Sequence, residues 1–244
     1  MRPDPIATAA EAARRRREQR LQAMTGKGGF VSSRAKPRGG PRAQRPKSAG
    51  AFRPRNTPRS RFKIFYERRD LPILLDFEGA VRKIQWKVDL KQIDLLHYLP
   101  IFMDGLREKE EPYHFLAHQG TAELLAHAGD RVVPVIPQLI MPMKTNLSTR
   151  DPSVMCAQMR VLQNLVRAAP LAGRALVPYY RQLLQVFNLF ITKRVNVGDA
   201  FDYGQKKGHI GDLILETLFV LEQHGGDDAF VNIKFMIPTY ESCL

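Results

Sequence analysis

The residue pattern closest to a metal site is formed by His114 and His118, with His127 further along the chain. A spacing of four residues places two imidazoles on one face of a helix. Zinc sites in proteins use three or four ligands, and no Glu directly follows His114, as the zincin helix requires. Gly120 is expected to end this helix. We therefore predict surface or half-buried histidines and no metal site.

Other candidates for catalysis are also incomplete. The segment Thr25-Gly26-Lys27-Gly28 resembles a phosphate-binding loop, but Leu21 stands where its first Gly belongs, and Gly28 replaces the hydroxyl residue that binds magnesium. Cys156 falls in an amphipathic pattern that is typical of a small core residue. Turn and helix-cap roles suit the carboxylate pairs, which are Asp199 with Asp202 and Asp227 with Asp228. The sequence predicts no catalytic residue and no cofactor, so we expect a protein that is not an enzyme.

The strongest electrostatic feature is the uneven distribution of charge. Of the net charge of +14, residues 1–60 hold +13, because they carry 16 Lys and Arg against 3 Asp and Glu. The remaining residues carry 22 Lys and Arg against 21 Asp and Glu, a net charge of +1. Arg14–Arg17 and Arg20 form the densest part of the basic segment. Such asymmetry points to an acidic partner.

The kind of acidic partner can be narrowed by composition. Only Phe30 and Phe52 supply aromatic rings in the first 60 residues, and no RNA- or DNA-binding signature follows, which argues against nucleic acid. No run of about 18 consecutive apolar residues occurs, so no membrane span is expected. The two cysteines, Cys156 and Cys243, favour a reducing compartment. An acidic protein surface is the preferred partner.

The elements that must position these residues divide the chain into two predicted parts. Residues 1–60 contain seven Pro and six Gly among few large apolar residues, which predicts a disordered basic arm. Within it, Ala7–Met24 is rich in good helix formers. We expect order to begin near Phe62 and to continue as one helical domain over residues 61–244.

The ordered part opens with a predicted hairpin. Its strands are Ile73–Phe77 and Ile84–Val88, joined by a turn at Glu78–Ala80, and Ile84, Trp86 and Val88 alternate with polar residues. A two-stranded hairpin is marginal alone, so it must pack on the helices that follow.

Helical periodicity dominates from Lys91 onwards. Spacings of three and four predict helices through Val154, Ala157, Val161 and Leu165 and through Leu176, Tyr180, Leu183, Phe187 and Ile191. The segment Ile210–Leu221 is apolar nearly all round, which indicates a buried helix. Shorter helices are predicted at Leu99–Glu108, Tyr113–His118, Ala122–His127 and Asp228–Ile237. Thr192–His209 lacks periodicity, and as a long loop it is a candidate contact site.

A short repeat supports a helical-repeat architecture. Val133-Pro134, followed by Gln138-Leu139, recurs as Val177-Pro178 with Gln182-Leu183, an offset of 44 residues. Leu99-Pro100 is expected to open an earlier helix in the same way, because Pro suits the first turn of a helix. HEAT and armadillo repeats have periods of about 40–47 residues. The predicted fold class is all-α, an armadillo/HEAT-like α-solenoid with a small N-terminal β-hairpin.

Several irregular strings of the sequence resemble the parkin co-regulated gene protein family, and the resemblance covers about residues 60–244. The most extended string is the closing segment, residues 233–243, which reads IKFMIPTYESC. The other matching strings are Phe65-Tyr66-Glu67-Arg68, Ile84-Gln85-Trp86-Lys87-Val88, His97-Tyr98-Leu99-Pro100, Leu176-Val177-Pro178-Tyr179-Tyr180-Arg181-Gln182, Asp202-Tyr203 and Ile210-Gly211-Asp212-Leu213-Ile214.

The resemblance implies an armadillo/HEAT-like protein without enzymatic activity. Its family is placed at the inner junction of doublet microtubules in the axoneme of cilia and flagella, where it alternates with a small β-sandwich protein and bridges the A- and B-tubules. The partners implied are α/β-tubulin, the β-sandwich protein and other axonemal proteins. The predicted partner-binding residues are Arg14, Arg15, Arg16, Arg17, Arg20, Asp202, Tyr203 and Tyr240.

Two other functions are open at this point. A soluble helical-repeat adaptor for a cargo protein would use the same helical surface and predicts a cytoplasmic pool. An RNA-binding protein would use the basic tail, and its binding would be destroyed by nuclease.

Overall fold

The described part of the chain is mostly α-helical and contains one two-stranded antiparallel sheet. The computed structural model describes residues 49–56, 58–78, 81–193 and 209–242. The predicted helical class with a small hairpin is therefore confirmed, whereas the predicted Ala7–Met24 helix and most of the Thr192–His209 loop lie outside these residues.

The elements follow one another with short connections through most of the described chain. Three short 3-10 helices, Gly129–Val135, Val177–Tyr179 and Leu184–Val186, lead into α4, α7 and α8 respectively. In chain order the elements are α1 (Arg61–Glu67), β1 (Ile73–Glu78), β2 (Val81–Trp86), α2 (Leu95–Gly105), α3 (Tyr113–Ala128), α4 (Ile136–Ser148), α5 (Pro152–Ala168), α6 (Ala172–Leu176), α7 (Tyr180–Leu183), α8 (Phe187–Phe190), α9 (Ile210–Gly225) and α10 (Asp227–Met236).

The hairpin forms as predicted, but its second strand begins earlier than expected. Ile73 pairs with Trp86, and the register continues until Glu78 pairs with Val81, so β2 covers Val81–Trp86 instead of Ile84–Val88. The Trp86 indole donates to Glu123 Oε2 at 2.6 Å, and its ring lies 5.6 Å from that of Phe102. These contacts with α3 and α2 provide the helical support that a two-stranded sheet needs.

Helix α2 begins four residues before the predicted start at Leu99. Asp94 caps it by accepting a hydrogen bond from the Leu96 N–H at 3.0 Å, and this cap sets the start at Leu95. Pro100 therefore lies inside the helix, and the prediction that it opens the helix is wrong. Its missing N–H deprives the Leu96 carbonyl of a helical donor.

Helix α3 is continuous through Gly120, contrary to the prediction of two helices separated there. A Cβ atom at position 120 would overlap the ring of Phe102 on α2. The glycine therefore allows α2 and α3 to approach closely, and it does not end the helix. The cost of about 1 kcal/mol that Gly adds to a helix interior is offset by this packing.

The two Val-Pro segments of the predicted repeat occupy similar local structures. Pro134 lies in the 3-10 helix that leads into α4, and Pro178 lies in the 3-10 helix that leads into α7. Leu139 and Leu183, five residues after each proline, are both buried. The repeat thus marks two similar turns that enter helices.

The predicted helix through Leu176–Ile191 is broken into α6, α7 and α8 by two 3-10 turns. The prediction of its apolar face is confirmed, because Leu176, Tyr180, Leu183 and Phe187 are all buried. Pro178 accounts for the first break, since it cannot donate the helical hydrogen bond. Nothing in the structure explains the second break at Leu184–Val186.

Helix α9 lies against several others, as its apolar sequence predicts. Gln163 on α5 donates to Thr217 Oγ1 at 3.0 Å, and the Tyr180 hydroxyl on α7 donates to the Leu221 carbonyl at 3.1 Å. Gly173 on α6 packs directly against the backbone of His224, the penultimate residue of α9. These contacts join the elements on either side of the long connection between α8 and α9.

A buried side-chain amide provides a hydrogen-bond donor to a carbonyl at the C-terminal end of α2. The last carbonyls of a helix have no donor within it. The Asn146 amide on α4 donates to the Met103 carbonyl at 2.7 Å and to Gln158 Oε1 on α5 at 2.9 Å. Asn146 is fully buried and Gln158 is 1% exposed. The Asn146 amide therefore joins three helices through two buried hydrogen bonds.

Replacing Gly120 with Ala is expected to lower the free energy of unfolding by about 1–2 kcal/mol, because the added methyl group displaces Phe102. The gain in helix propensity offsets part of that loss. Urea unfolding followed by circular dichroism measures the change. Gln119→Ala, on the exposed face of the same helix, is the control and should shift the value by less than about 0.5 kcal/mol. Equal values for wild type and Gly120→Ala would contradict the close-packing role.

Candidate interaction surfaces

The segment before α1 lies against the helical unit. We call residues 49–56 and 58–60 the N-terminal strap. The Arg55 N–H donates to the Thr149 carbonyl at 2.8 Å, and Arg150 Nη1 donates to the Ala51 carbonyl at 2.8 Å. Arg150 has φ of 56°, in the left-handed region, at the turn between α4 and α5. The strap is thus hydrogen-bonded to that turn.

The end of the strap is held by a buried ion pair that we call the Asp104–Arg107 clamp. The guanidinium donates to both Asp104 carboxylate oxygens and to the carbonyls of Pro58 and Arg59, at 3.2 and 3.3 Å for the two carbonyls. Asp104 also accepts from the Arg61 N–H at 2.8 Å. The two side chains are 7% and 8% exposed. Buried charges are tolerated when paired and hydrogen-bonded, and the strap backbone supplies two of the acceptors.

The other end of the strap packs on the helix that precedes the long connection. Phe52 meets Phe190 of α8 edge to face, with ring centroids 5.6 Å apart. Lys193 Nζ lies 4.3 Å from the Phe52 ring centroid and 5.3 Å from that of Phe190. Sequence reasoning assigned this segment to the arm, because its Arg and Pro content hides a single anchoring aromatic residue.

The closing segment folds back onto the end of the helical unit. The Tyr240 hydroxyl donates to Glu222 Oε2 at 2.6 Å, and the Ser242 hydroxyl donates to Glu222 Oε1 at 2.6 Å. Lys234 Nζ donates to the Tyr240 carbonyl at 2.7 Å. Tyr240, a predicted partner-binding residue, is only 3% exposed. Its side chain fixes the closing segment from within the unit.

Helix α10 presents apolar side chains to solvent. Val231 and Phe235, four residues apart on one face, are 67% and 79% exposed, while Ala229 and Ile233 face the core. Sequence reasoning missed this pair. The available signal was the presence of large apolar residues off the buried face of a short helix.

The histidines occupy the positions predicted for structural residues. The rings of His114 and His118 lie 4.2 Å apart, His114 is exposed, and His118 is half-buried with Nε2 lacking a hydrogen-bond partner in the described chain. Burial, reinforced by His114, lowers the pKa of His118 from 6.5 to about 4. Among the described residues, no group of three His, Cys, Asp or Glu side chains is placed to hold a metal ion.

The remaining candidate groups have structural positions or fall outside the described chain. Cys156 is buried, and burial raises the pKa of its thiol to about 11, which leaves it a poor nucleophile at neutral pH. Asp227 and Asp228 lie in the first turn of α10, as predicted for a helix start. Outside the described residues lie Arg14, Arg15, Arg16, Arg17, Arg20, Thr25–Gly28, Asp199, Asp202, Tyr203 and Cys243. Of the predicted partner-binding residues, only Tyr240 is described.

Along the ranges that the structure describes, no helix is long and apolar enough to cross a membrane. The features in these ranges are surfaces and anchored segments around an apolar core. They define an α-helical protein with a small antiparallel sheet, in which the N-terminal strap and the closing segment are held against the helices.

Comparison with known proteins gives the family. The family model for the Parkin co-regulated protein matches residues 60–242. The Parkin coregulated gene protein homolog of Mus musculus is 49% identical over 200 residues, which cover 82% of this chain and 83% of that relative. The chain belongs to the Parkin co-regulated protein family, which confirms the resemblance read from the sequence. It is not a known enzyme family.

Replacing Tyr240 with Phe should lower the free energy of unfolding by about 2 kcal/mol, because Glu222 loses a charge-assisted donor in a buried site. Thermal unfolding by calorimetry measures the difference. Tyr179→Phe is the control, since that hydroxyl forms no hydrogen bond to another described residue. If Tyr240→Phe were as stable as the control variant, the hydrogen bond from the Tyr240 hydroxyl to Glu222 would contribute nothing to stability.

Stability should depend on pH through His118. Its pKa is lower in the folded protein than in the unfolded chain, so the unfolded chain binds more protons below about pH 6.5. The free energy of unfolding should therefore fall between about pH 6.5 and pH 4 by up to about 3 kcal/mol, with no contribution above that range. His118→Gln should reduce this fall in urea titrations, whereas the exposed His127→Gln should not. Parallel pH profiles for the two variants would contradict the assignment.

Proposed function

We propose that this chain is a non-enzymatic structural protein of the ciliary or flagellar axoneme. In this proposal it binds tubulin and bridges the A- and B-tubules at the inner junction of the doublet, beside a small β-sandwich protein. Family membership supports the proposal. The observation that carries it is the contrast between a strongly basic N-terminal segment and a nearly neutral helical unit.

The charge contrast favours a large acidic partner. Residues 1–60 carry +13 of the net +14 charge. A segment with this charge gains electrostatic energy mainly at an extended acidic surface, and the attraction also speeds encounter. A tubulin wall meets that requirement and repeats along the filament, so weak contacts add as avidity. Arg14–Arg17 and Arg20 are the proposed counter-charges.

The helical unit supports the bridging role through its organisation. We propose that it is an armadillo/HEAT-like α-solenoid, since two Val-Pro turns 44 residues apart each lead into a helix with a buried Leu. Solenoids offer extended surfaces because each repeat contacts mainly its neighbours. A bridge between two tubules needs at least two separate faces, which such a unit provides.

The anchoring of the strap supports a link between the arm and the unit. A tether transmits force and orientation only if its root is fixed. The Asp104–Arg107 clamp and the Arg55–Thr149 hydrogen bond fix that root. The strap therefore has a defined position on the helical unit, which suits a scaffold that must sit in one orientation on a polymer.

Co-sedimentation of the full chain with microtubules and with isolated axonemal doublets tests the proposal. The chain should pellet with doublets in the presence of excess RNA. Changing Arg14–Arg17 and Arg20 to Gln should weaken binding by about tenfold or more and make its salt dependence shallower, since five charge contacts are lost. The control replaces five other arm residues, Arg2, Arg34, Arg38, Arg42 and Arg45, with Gln.

The outcomes separate the alternatives. Equal weakening by both sets of changes would show that net charge alone matters and would remove the role assigned to Arg14–Arg17 and Arg20. Binding that RNA abolishes would favour the nucleic-acid function. Failure to pellet with either polymer, together with tight binding to a small soluble protein, would favour the adaptor.

A further inference from the structure

The Phe52 end of the N-terminal strap carries cations whose positions are set by the folded unit. Arg53 and Arg55 are exposed and lie on either side of Pro54, whose ring restricts the backbone between them. The Arg53 N–H donates to the Gly50 carbonyl at 3.0 Å, and the Arg55 N–H donates to Thr149. The backbone at both arginines is therefore fixed.

A third cation is held beside them by aromatic contacts. Lys193 Nζ lies 4.3 Å from the Phe52 ring centroid and 5.3 Å from that of Phe190, within the range of a cation–π interaction. Phe190 is fully buried, so it is a rigid support for this contact. We call Arg53, Arg55 and Lys193 the basic strap face.

Ion pairs neutralise several cations of the folded unit close to the strap. Arg107 pairs with Asp104, Lys63 with Glu110 and Lys109 with Asp151. At the Phe52 end, none of Arg53, Arg55 and Lys193 forms an ion pair with a described residue. Arg107, Lys63 and Lys109 are thus neutralised within the folded unit, whereas Arg53, Arg55 and Lys193 have no acidic side chain paired with them among the described residues.

We propose that the basic strap face binds an acidic polypeptide segment. Three cations on a fixed backbone match a run of carboxylates, and preorganisation reduces the entropy lost on binding. The proposal rests on the proposed function for the source of that segment, an acidic tubulin surface. It adds a second contact, distinct from Arg14–Arg17 and Arg20, that belongs to the folded unit and can set its orientation.

Nucleic acid and membrane fit this face less well. Phe52 is a poor stacking platform for bases, because its ring already contacts Phe190 and the Lys193 ammonium. The strap is not helical in the described residues and offers one large apolar side chain, whereas interfacial membrane binding needs a broad apolar face.

Fluorescence anisotropy with a labelled oligoglutamate peptide and the full chain tests the proposal. The doubly reversed variant Arg53→Glu, Arg55→Glu should bind the peptide at least about tenfold more weakly than wild type. The control reverses Arg160 and Arg181, which are also exposed and form no ion pair with a described residue. Phe52→Leu should weaken binding about two- to fivefold, because it keeps an apolar side chain but removes the ring that positions Lys193. Circular dichroism confirms that all variants fold.

Equal losses in the strap and control variants would overturn the proposal, since binding would then follow net charge. Strap-dependent binding of polyuridylate that excess oligoglutamate cannot displace would also overturn it and identify a nucleic-acid site. Strap-dependent peptide binding without pelleting on doublets would retain this inference while rejecting the proposed function. Normal pelleting by the strap variant, without strap-dependent peptide binding, would reject this inference alone.

Discussion

The C-terminal end of α2 is buried, and satisfying its polar groups organises the surrounding structure. A helix end removed from water must find donors for its last carbonyls and partners for its charges. Asn146 supplies a donor to Met103 from α4 and joins Gln158 on α5. Arg107 and Asp104 take up the strap carbonyls and the first N–H of α1. Two regions distant in sequence, the strap with α1 and the α4–α5 pair, are therefore positioned by one requirement.

The closing segment follows the same physical rule. Glu222 on α9 is 8% exposed, and a carboxylate at that depth needs donors. Tyr240 and Ser242 provide them at 2.6 Å each, and the segment between them is thereby held to the helices. Both terminal segments of the described unit thus supply hydrogen bonds to buried polar groups. Removing the hydrogen-bonding groups of either segment would leave a buried polar group without its partner. The free energy lost would then exceed that of the hydrogen bond itself, because the group stays desolvated.

Sequence reasoning predicted the features that depend on local pattern. Alternation identified the hairpin, and three-four spacing identified the buried faces of α5 and of the α6–α8 region, where Leu176 and Phe187 are buried as predicted. The errors concern positions where tertiary packing outweighs a local signal. Gly120 continues a helix because Phe102 needs the space, and Pro100 lies inside α2 because the Asp94 cap fixes an earlier start.

The candidate surfaces were only partly predictable for a related reason. Charge composition identified the basic segment, but composition gives no account of which cations are neutralised. The strap and the helices beside it show the difference, because Arg107 and Lys63 on the helices meet acidic partners while Arg53 and Arg55 in the strap meet none among the described residues. That distinction depends on residues about 45 positions apart, such as Lys63 and Glu110, and no local pattern reports it. The anchoring role of Phe52 was missed because one aromatic residue among Arg and Pro carries little signal.

In a protein with a basic segment joined to a folded unit, one set of charges can attract an acidic partner while another set fixes the orientation of the unit on that partner. Exposed charges on a long segment act at a distance and favour encounter with any acidic surface, but they select no geometry. Cations on a fixed backbone lose little entropy on binding and favour one arrangement of carboxylates. The Phe52–Phe190 contact and the Asp104–Arg107 clamp hold the strap at both ends, so the cations between them move with the helical unit. The scaffold function that we propose would require this coupling, because every copy along a filament must present the same face to its neighbours.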